Sequence, residues 1–130
     1  MNKRCTQLLA GLSLLCLSPL SALAAGHGPF SVAVDCGGNV AAGDVVPYTI
    51  RAENQTLQAQ PMELSMRLRG PFGGVIPMFS TSITLGANQN LAVDRSLGLP
   101  VGVPAGSFTL ILVGAGTTFT SFDTCSFNVI

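Results

Sequence analysis

The sequence predicts an all-β domain, a two-sheet antiparallel sandwich of seven strands, that follows a short N-terminal leader. Three observations support this class. Apolar and polar side chains alternate with a period of two, clusters of glycine, proline and asparagine separate the alternating runs, and no segment of the domain has a helical stripe. With 130 residues, 48% of them hydrophobic and 9% charged, the chain has room for one compact domain.

Residues 1–25 have the order of a secretory signal peptide. Two basic residues come first, an apolar stretch follows from Leu8 to Leu20, and small residues come last. Cleavage is expected after Ala24, with Ala25 as the second choice. The apolar stretch is too short to span a bilayer, so no transmembrane anchor is predicted. The bulky residue before Cys16 disfavours lipidation at that cysteine.

Loss of this leader changes the charge and cysteine counts of the predicted domain, residues 26–130. The domain keeps four arginines and six acidic residues and has no lysine, which gives a net charge of −2. This balance excludes a basic surface for nucleic acid. Only Cys36 and Cys125 remain, and two cysteines in an oxidising compartment have a single pairing. We therefore expect one disulfide and an exported protein, periplasmic or extracellular.

The first three strands are predicted from strict alternation. Apolar residues occupy one face and polar residues the other in the runs 30–36, 46–53 and 64–69. Such strands have one buried face and one wet face. Residues suited to reversing the chain lie between them, including Gly43-Asp44 before the second strand and Gly70 to Gly74 after the third.

The last four strands are shorter or more apolar. Two short runs, 83–85 and 91–93, flank a Gly-Ala-Asn turn. The run 108–113 is apolar except for one threonine, as expected of a central strand, and 122–129 alternates again.

Each cysteine of the domain shares the apolar face of its strand. Cys36 continues the apolar face of the first strand, and Cys125 lies on that of the last strand. We expect the first and last strands to be neighbours, so that the bridge joins them at the edge of the core and does not connect the two sheets.

Two segments carry a known signature. In residues 42–54 a Gly-Asp turn leads into Tyr-Thr-Ile and ends at asparagine, and residues 99–110 contain Pro-Ala-Gly-Ser-Phe-Thr-Leu. These resemble the second strand and the sixth-strand corner of bacterial immunoglobulin-like and fibronectin-type-III-like modules, especially the cell-adhesion-related domain. Phe108 stands where tyrosine is usual. The resemblance covers about a quarter of the domain and implies an immunoglobulin-like sandwich outside the cytoplasm, used for adhesion or assembly or as an accessory module.

No catalytic, metal or cofactor site is predicted, so the chain is not expected to be an enzyme. The single histidine, His27, lies near the expected mature N-terminus without other ligands around it. Asp35, Asn39 and Asp44 could offer oxygen ligands to calcium, but their spacing matches no calcium loop, and turn capping is the favoured interpretation. The triplet beginning at Asn54 matches a glycosylation acceptor and is interpreted as a turn.

The connection from Gly70 to Phe79 is the least regular and most apolar part of the domain. It either folds back over an open end of the sandwich, the interpretation we favour, or exposes a contact patch. The candidate binding loop consists of Phe72, Val75, Ile76, Met78 and Phe79.

Two functions follow from these features. The first is a secreted, non-enzymatic immunoglobulin-like binding or adhesion/accessory module of the bacterial cell envelope, with a protein partner there. The second is a structural subunit of a surface fibre or coat that self-associates by edge-strand pairing, with Phe122 to Ile130 as the donated strand. The scarcity of charge suits a partly covered surface in both cases. A bridge to the first strand disfavours the donor role.

Overall fold

A computed structural model describes residues 28–130, so the predicted leader, its cleavage sites and His27 lie outside the described residues. The described chain is all-β. Its strands, in chain order, are β1 (Phe30–Asp35), β2 (Asn39–Val40), β3 (Val45–Asn54), β4 (Gln60–Arg69), β5 (Val75–Leu85), β6 (Asn90–Gly98), β7 (Gly106–Ala115) and β8 (Thr120–Val129). Within residues 28–130 no helix has the length and apolar character needed to cross a membrane.

The strands form two sheets that face each other. A three-stranded sheet has the order β1-β3-β6, and a five-stranded sheet has the order β2-β8-β7-β4-β5. The long neighbours all pair antiparallel, and the short β2 pairs parallel with β8. The predicted antiparallel sandwich is confirmed. The apolar run in β7 lies between β4 and β8, so its prediction as a central strand is also confirmed.

The structure has one strand more than predicted, and β5 begins much earlier than its predicted start at residue 83. The extra strand, β2, has two residues, too few to display a period. β5 pairs only with β4, and its burial pattern does not alternate. The register between β4 and β5 shifts between Met66 and Arg67, so Met78 has no paired residue in β4. The side chains of β5 before Met78 therefore alternate out of phase with those after it. Periodicity therefore fails as a signal for this strand.

The inward faces of both sheets form one core. β3 alternates buried and exposed residues along its length, as predicted, and Leu110 and Leu112 of β7 are completely buried. The rings of Phe108 and Phe127 stack with centroids 5.6 Å apart and hold β7 against β8. Each such side chain contributes about 1.5–3 kcal/mol through removal of apolar surface from water.

The predicted disulfide between Cys36 and Cys125 is present, with the two Cα atoms 5.6 Å apart. Both cysteines are half-buried and pack against the core, as expected. The first and last strands are neighbours, as expected, but they lie in different sheets. The expectation that the bridge would not connect the two sheets is wrong. β1 belongs to the three-stranded sheet and β8 to the five-stranded sheet, so the bridge connects the two sheets. Alternation shows which face of a strand is apolar, and it does not show in which sheet the strand lies.

We call residues 30–40, which include β1 and β2, the first segment. Four of its contacts with β8 each join two residues that are 89 positions apart in the sequence. The segment therefore runs parallel to β8, first across the gap between the sheets and then, at β2, inside the five-stranded sheet. The contacting pairs are Val32 with Ser121, Val34 with Asp123, Cys36 with Cys125 and Asn39 with Asn128.

β8 is occupied within its own chain. It pairs with β7 along its whole length, pairs with β2 at its end and carries the bridge to Cys36. The structure therefore places Phe122 to Ile130 within its own sandwich, and its donation to a neighbouring molecule stays a prediction.

Replacing both cysteines with alanine is expected to lower the free energy of unfolding by about 4–5 kcal/mol, since the bridge closes a long loop and constrains the unfolded chain. Urea unfolding of the C36A/C125A variant, compared with the oxidised wild type and with wild type under reductant, measures this loss.

A thiol assay on the unreduced exported protein is expected to find no free sulfhydryl. Two free thiols per mature chain would contradict the bridge.

Candidate functional site

Four of the five residues in the candidate binding loop do not lie in a loop. Val75, Ile76, Met78 and Phe79 belong to β5, and only Phe72 lies in the connection between β4 and β5. The predicted loop conformation is wrong for these four, because the edge position and the register shift conceal the strand. Their part in binding remains a prediction.

The turn between β4 and β5 holds Phe72 at its tip. The N–H of Gly73 donates to the carbonyl of Gly70 at 3.2 Å, and the N–H of Gly70 donates to the carbonyl of Gly74 at 2.9 Å. Gly73 has a φ of 90°, a left-handed conformation that favours glycine, and Pro71 restricts the backbone before it. The turn is thus well defined, while the Phe72 side chain is 85% exposed.

Exposed apolar side chains concentrate at the end of the sandwich that holds this turn. Eight large hydrophobic residues are exposed in the described chain. Six of them lie in or next to the connections between β2 and β3, between β4 and β5 and between β6 and β7, or at the end of β8. We call these six the apolar end. They are Val45, Phe72, Val75, Ile76, Val101 and Ile130.

The apolar end contains a shallow depression of about 300 Å³. Phe72 and Ile76 line one side of it, and Pro104, from the connection between β6 and β7, lines another. Val101 of the same connection is 85% exposed and lies beside Gly43 of the connection before β3. Three connections therefore contribute to one surface. The sequence indicated only the part that follows β4.

Two of the three residues considered for calcium have side-chain partners. Asp35 forms an exposed ion pair with Arg51, and the side chain of Asn39 accepts a long hydrogen bond of 3.5 Å from Asn128. Asp44 lies in the connection before β3, where its N–H donates to the carbonyl of Ala41. In the described part of the chain, no three His, Cys, Asp or Glu side chains are grouped as metal ligands would be.

Asn54, from the glycosylation-type triplet, is a buried structural residue. It is 2% exposed. Its Nδ2 donates to the carbonyls of Gln58 at 2.7 Å and Gly86 at 2.8 Å, and its Oδ1 accepts the N–H of Thr56 at 2.9 Å. The amide joins the end of β3 to the connection between β5 and β6. Its interpretation as a turn residue agrees with these bonds, and its nitrogen is not accessible for modification.

Glu63 fastens the edge strand β5 to β4 on the outer face of the five-stranded sheet. Its carboxylate accepts hydrogen bonds from the hydroxyls of Ser80 at 2.5 Å and Ser82 at 2.8 Å. Both bonds favour the ionised form, and they lower the pKa of Glu63 below its usual value, with Ser80 contributing most.

The sandwich is similar to several solved structures. One is the CARDB domain of a protein from Pyrococcus furiosus, with 12% identity and a TM-score of 0.62, covering 78% of this chain and 94% of that one. The fold is immunoglobulin-like. This likeness agrees with the class that the sequence resembles, and at this identity it shows the fold alone. No family model and no curated protein matches the chain.

Larger enzymes contain a similar immunoglobulin-like unit. A β-glucosidase, EmGH1, from Erythrobacter marinus matches with 12% identity and a TM-score of 0.62, over 81% of this chain and 16% of that one. The alkylpurine DNA glycosylase AlkC from Pseudomonas fluorescens matches with 9% identity and a TM-score of 0.63, over 78% of this chain and 30% of that one. The chain therefore spans less than a third of either enzyme.

Removing the Ser80 hydroxyl with Ser80→Ala is expected to raise the pKa of Glu63 toward its ordinary 4.5, and by more than Ser82→Ala does. Because the folded-state pKa is lowered, the interaction stabilises the fold above about pH 4.5, and the stabilisation is lost as pH falls through the folded-state pKa. NMR titration of the Glu63 carboxyl measures the shift. Ser65→Ala, which changes a neighbouring hydroxyl, is the control, and an unshifted Glu63 in the wild type would contradict the assignment.

Proposed function

We propose that this protein is an exported, non-enzymatic immunoglobulin-like binding module of the bacterial cell envelope, which contacts a protein partner through the apolar end. One observation carries this proposal: six of the eight exposed large hydrophobic side chains lie at that end. Single exposed apolar residues are ordinary on protein surfaces, whereas a group of them marks an interaction site.

The geometry of Phe72 suits an anchor residue. Aromatic side chains dominate the binding energy of many interfaces. The turn that carries Phe72 is restricted by Pro71 and Gly73, so little backbone entropy is lost when a partner orders it. The adjacent depression beside Pro104 offers room for a partner's side chain.

Two further features support export and an accessory role. The Cys36–Cys125 bridge is of the kind that persists in oxidising compartments, in agreement with the predicted leader. A unit of this fold also makes up 16% of the β-glucosidase chain described above, which is compatible with use beside a larger functional partner.

A photo-crosslinking amino acid at Val101 is expected to capture one partner protein in intact envelopes, because Val101 lies in the apolar end, in the same connection as Pro104, which lines the depression beside Phe72. Adding Phe72→Ser is expected to reduce the captured partner at least about tenfold, the loss of one anchor side chain. Mass spectrometry of the crosslinked band identifies and quantifies it.

The matched control uses Leu57, an 82% exposed apolar residue in the connection after β3, outside the apolar end. Leu57→Ser is expected to leave capture through Val101 unchanged. Equal loss with Leu57→Ser, or capture that is insensitive to Phe72→Ser, would contradict a binding role for the apolar end.

A second candidate function, a fibre or coat subunit that assembles by edge pairing, is favoured by β5. This edge strand has 11 residues and no charged side chain, although exposed edges usually carry charges that prevent pairing. Pro77 and the register shift at Met78 interrupt its first half. Residues 80–85 form an uncharged edge that a second copy could join.

Light scattering after size-exclusion chromatography separates the two candidates. We expect a monomer, as a module with a different protein as partner requires. An oligomer that dissociates in Thr84→Lys, on the β5 edge, but persists in Thr109→Lys, on β7, which is paired on both sides, would instead support the fibre subunit. Lysine on an edge strand blocks strand pairing, whereas lysine on an interior strand only adds surface charge.

A further inference from the structure

An open groove lies between the sheets on the side of β5 and β6. These are edge strands of opposite sheets, and each pairs on one side only, β5 with β4 and β6 with β3. Between them the sheets leave a space of about 370 Å³. We call this space the seam groove. Its volume falls in the range of small-molecule sites, and an apolar cavity of about 150 Å³ already binds benzene.

The seam groove is apolar over most of its surface. Ile50 and Leu64 line it and are nearly buried. Ile83 of β5 and Leu91 and Val93 of β6 line its walls and remain half-exposed. The core of the sandwich is therefore incompletely covered here, and an apolar ligand would complete the burial of these side chains.

Polar groups lie toward one part of the groove. Tyr48 lines it and is 7% exposed, and its hydroxyl has no hydrogen-bond partner among the described residues. Arg95 is opposite Tyr48 in the pairing of β3 with β6, also lines the groove, and forms no ion pair within residues 28–130. The Tyr48 hydroxyl and the exposed Arg95 guanidinium together offer hydrogen-bond donors and a positive charge.

The apolar and polar parts lie at different distances from the connection between β5 and β6. Leu91 is the second residue of β6 after that connection, and Ile83 lies near the end of β5 before it. Arg95 is four residues further along β6, a distance of about 13 Å in a strand. Phe79 of β5 also lines the groove and is, like Arg95, remote from that connection. The groove is therefore apolar along its length and carries a positive charge, from Arg95, in one part.

We propose that the seam groove binds a single-chain anionic amphiphile. Arg95 and the Tyr48 hydroxyl hold the carboxylate or phosphate head, and the hydrocarbon chain lies along Val93 toward Leu91 and Ile83. A fatty acid and a lysophospholipid both have this chemistry. This site is separate from the apolar end and does not depend on the partner proposed there.

An inserted β-strand from another protein is the competing occupant. An inward-pointing charge on an edge strand opposes strand addition, and Arg95 is such a charge on β6. This charge favours the amphiphile.

Calorimetric titration of the oxidised exported protein with dodecanoate, below the micelle concentration, tests the site. We expect saturable binding at one site, weakened about tenfold by Arg95→Gln through loss of the charge-assisted contact and about threefold by Tyr48→Phe. Arg67→Gln, which removes an exposed arginine from the outer face of β4, is the matched control and should leave the affinity unchanged. Dodecanol should bind more weakly than dodecanoate and should not respond to Arg95→Gln.

Lauroyl lysophosphatidic acid in a parallel titration distinguishes the two sources of the head group, since the tighter ligand identifies a phosphate or a carboxylate. Absence of saturable binding by both ligands, or an affinity insensitive to Arg95→Gln, would overturn the proposal. Amide-exchange protection of β5 or β6 by an extended peptide, without amphiphile binding, would assign the groove to a strand and also overturn it. Phe72→Ser should not affect the titration, so failure of the apolar end and failure of the groove are distinguishable.

Discussion

The parallel alignment of the first segment with β8 closes one side of the sandwich. The N–H groups of Val32 and Val34 point away from β3, at the free edge of the three-stranded sheet, and side chains of β8 accept them. Asp123 faces inward in β8, where an unpaired carboxylate would be costly, and its 2.9 Å bond to the Val34 N–H compensates that cost. The Cys36 bridge then fixes this alignment covalently. Two sheet edges that would otherwise be open to other strands protect each other.

The opposite side of the sandwich has no such closure. There the sheets are joined through the connection after β5, which Asn54 secures by donating to the carbonyl of Gly86 at 2.8 Å. Beyond this point β5 and β6 remain unpaired on their outer sides, and the core residues between them stay half-exposed. The seam groove and the open edge of β5 both result from this asymmetry. The disulfide and the hydrogen bonds between β1 and β8 therefore lie on one side, and the surfaces proposed for binding lie on the other side and at the apolar end.

Local pattern was sufficient where a strand has a regular buried face. A period of two predicts β1, β3 and β4, and the near-continuous apolar run 108–113 predicts β7. β5 was missed because only Leu85 of its residues is fully buried and because the register shift at Met78 interrupts its alternation. The apolar end was predicted only around Phe72. Val45 and Val101 are isolated apolar residues far from it in sequence, and nothing local distinguishes them from core residues until the fold leaves them exposed.

The sequence by itself determined the all-β class, the turns, the apolar face of most strands and the single pairing of Cys36 with Cys125, because each depends on neighbouring residues or on a count. The tertiary structure alone decided that this bridge connects the two sheets, that Asp123 protects an edge, and that Tyr48 and Arg95 meet in one groove. Alternation specifies which side of a strand avoids water. Which strand lies opposite that side depends on the packing of the whole chain.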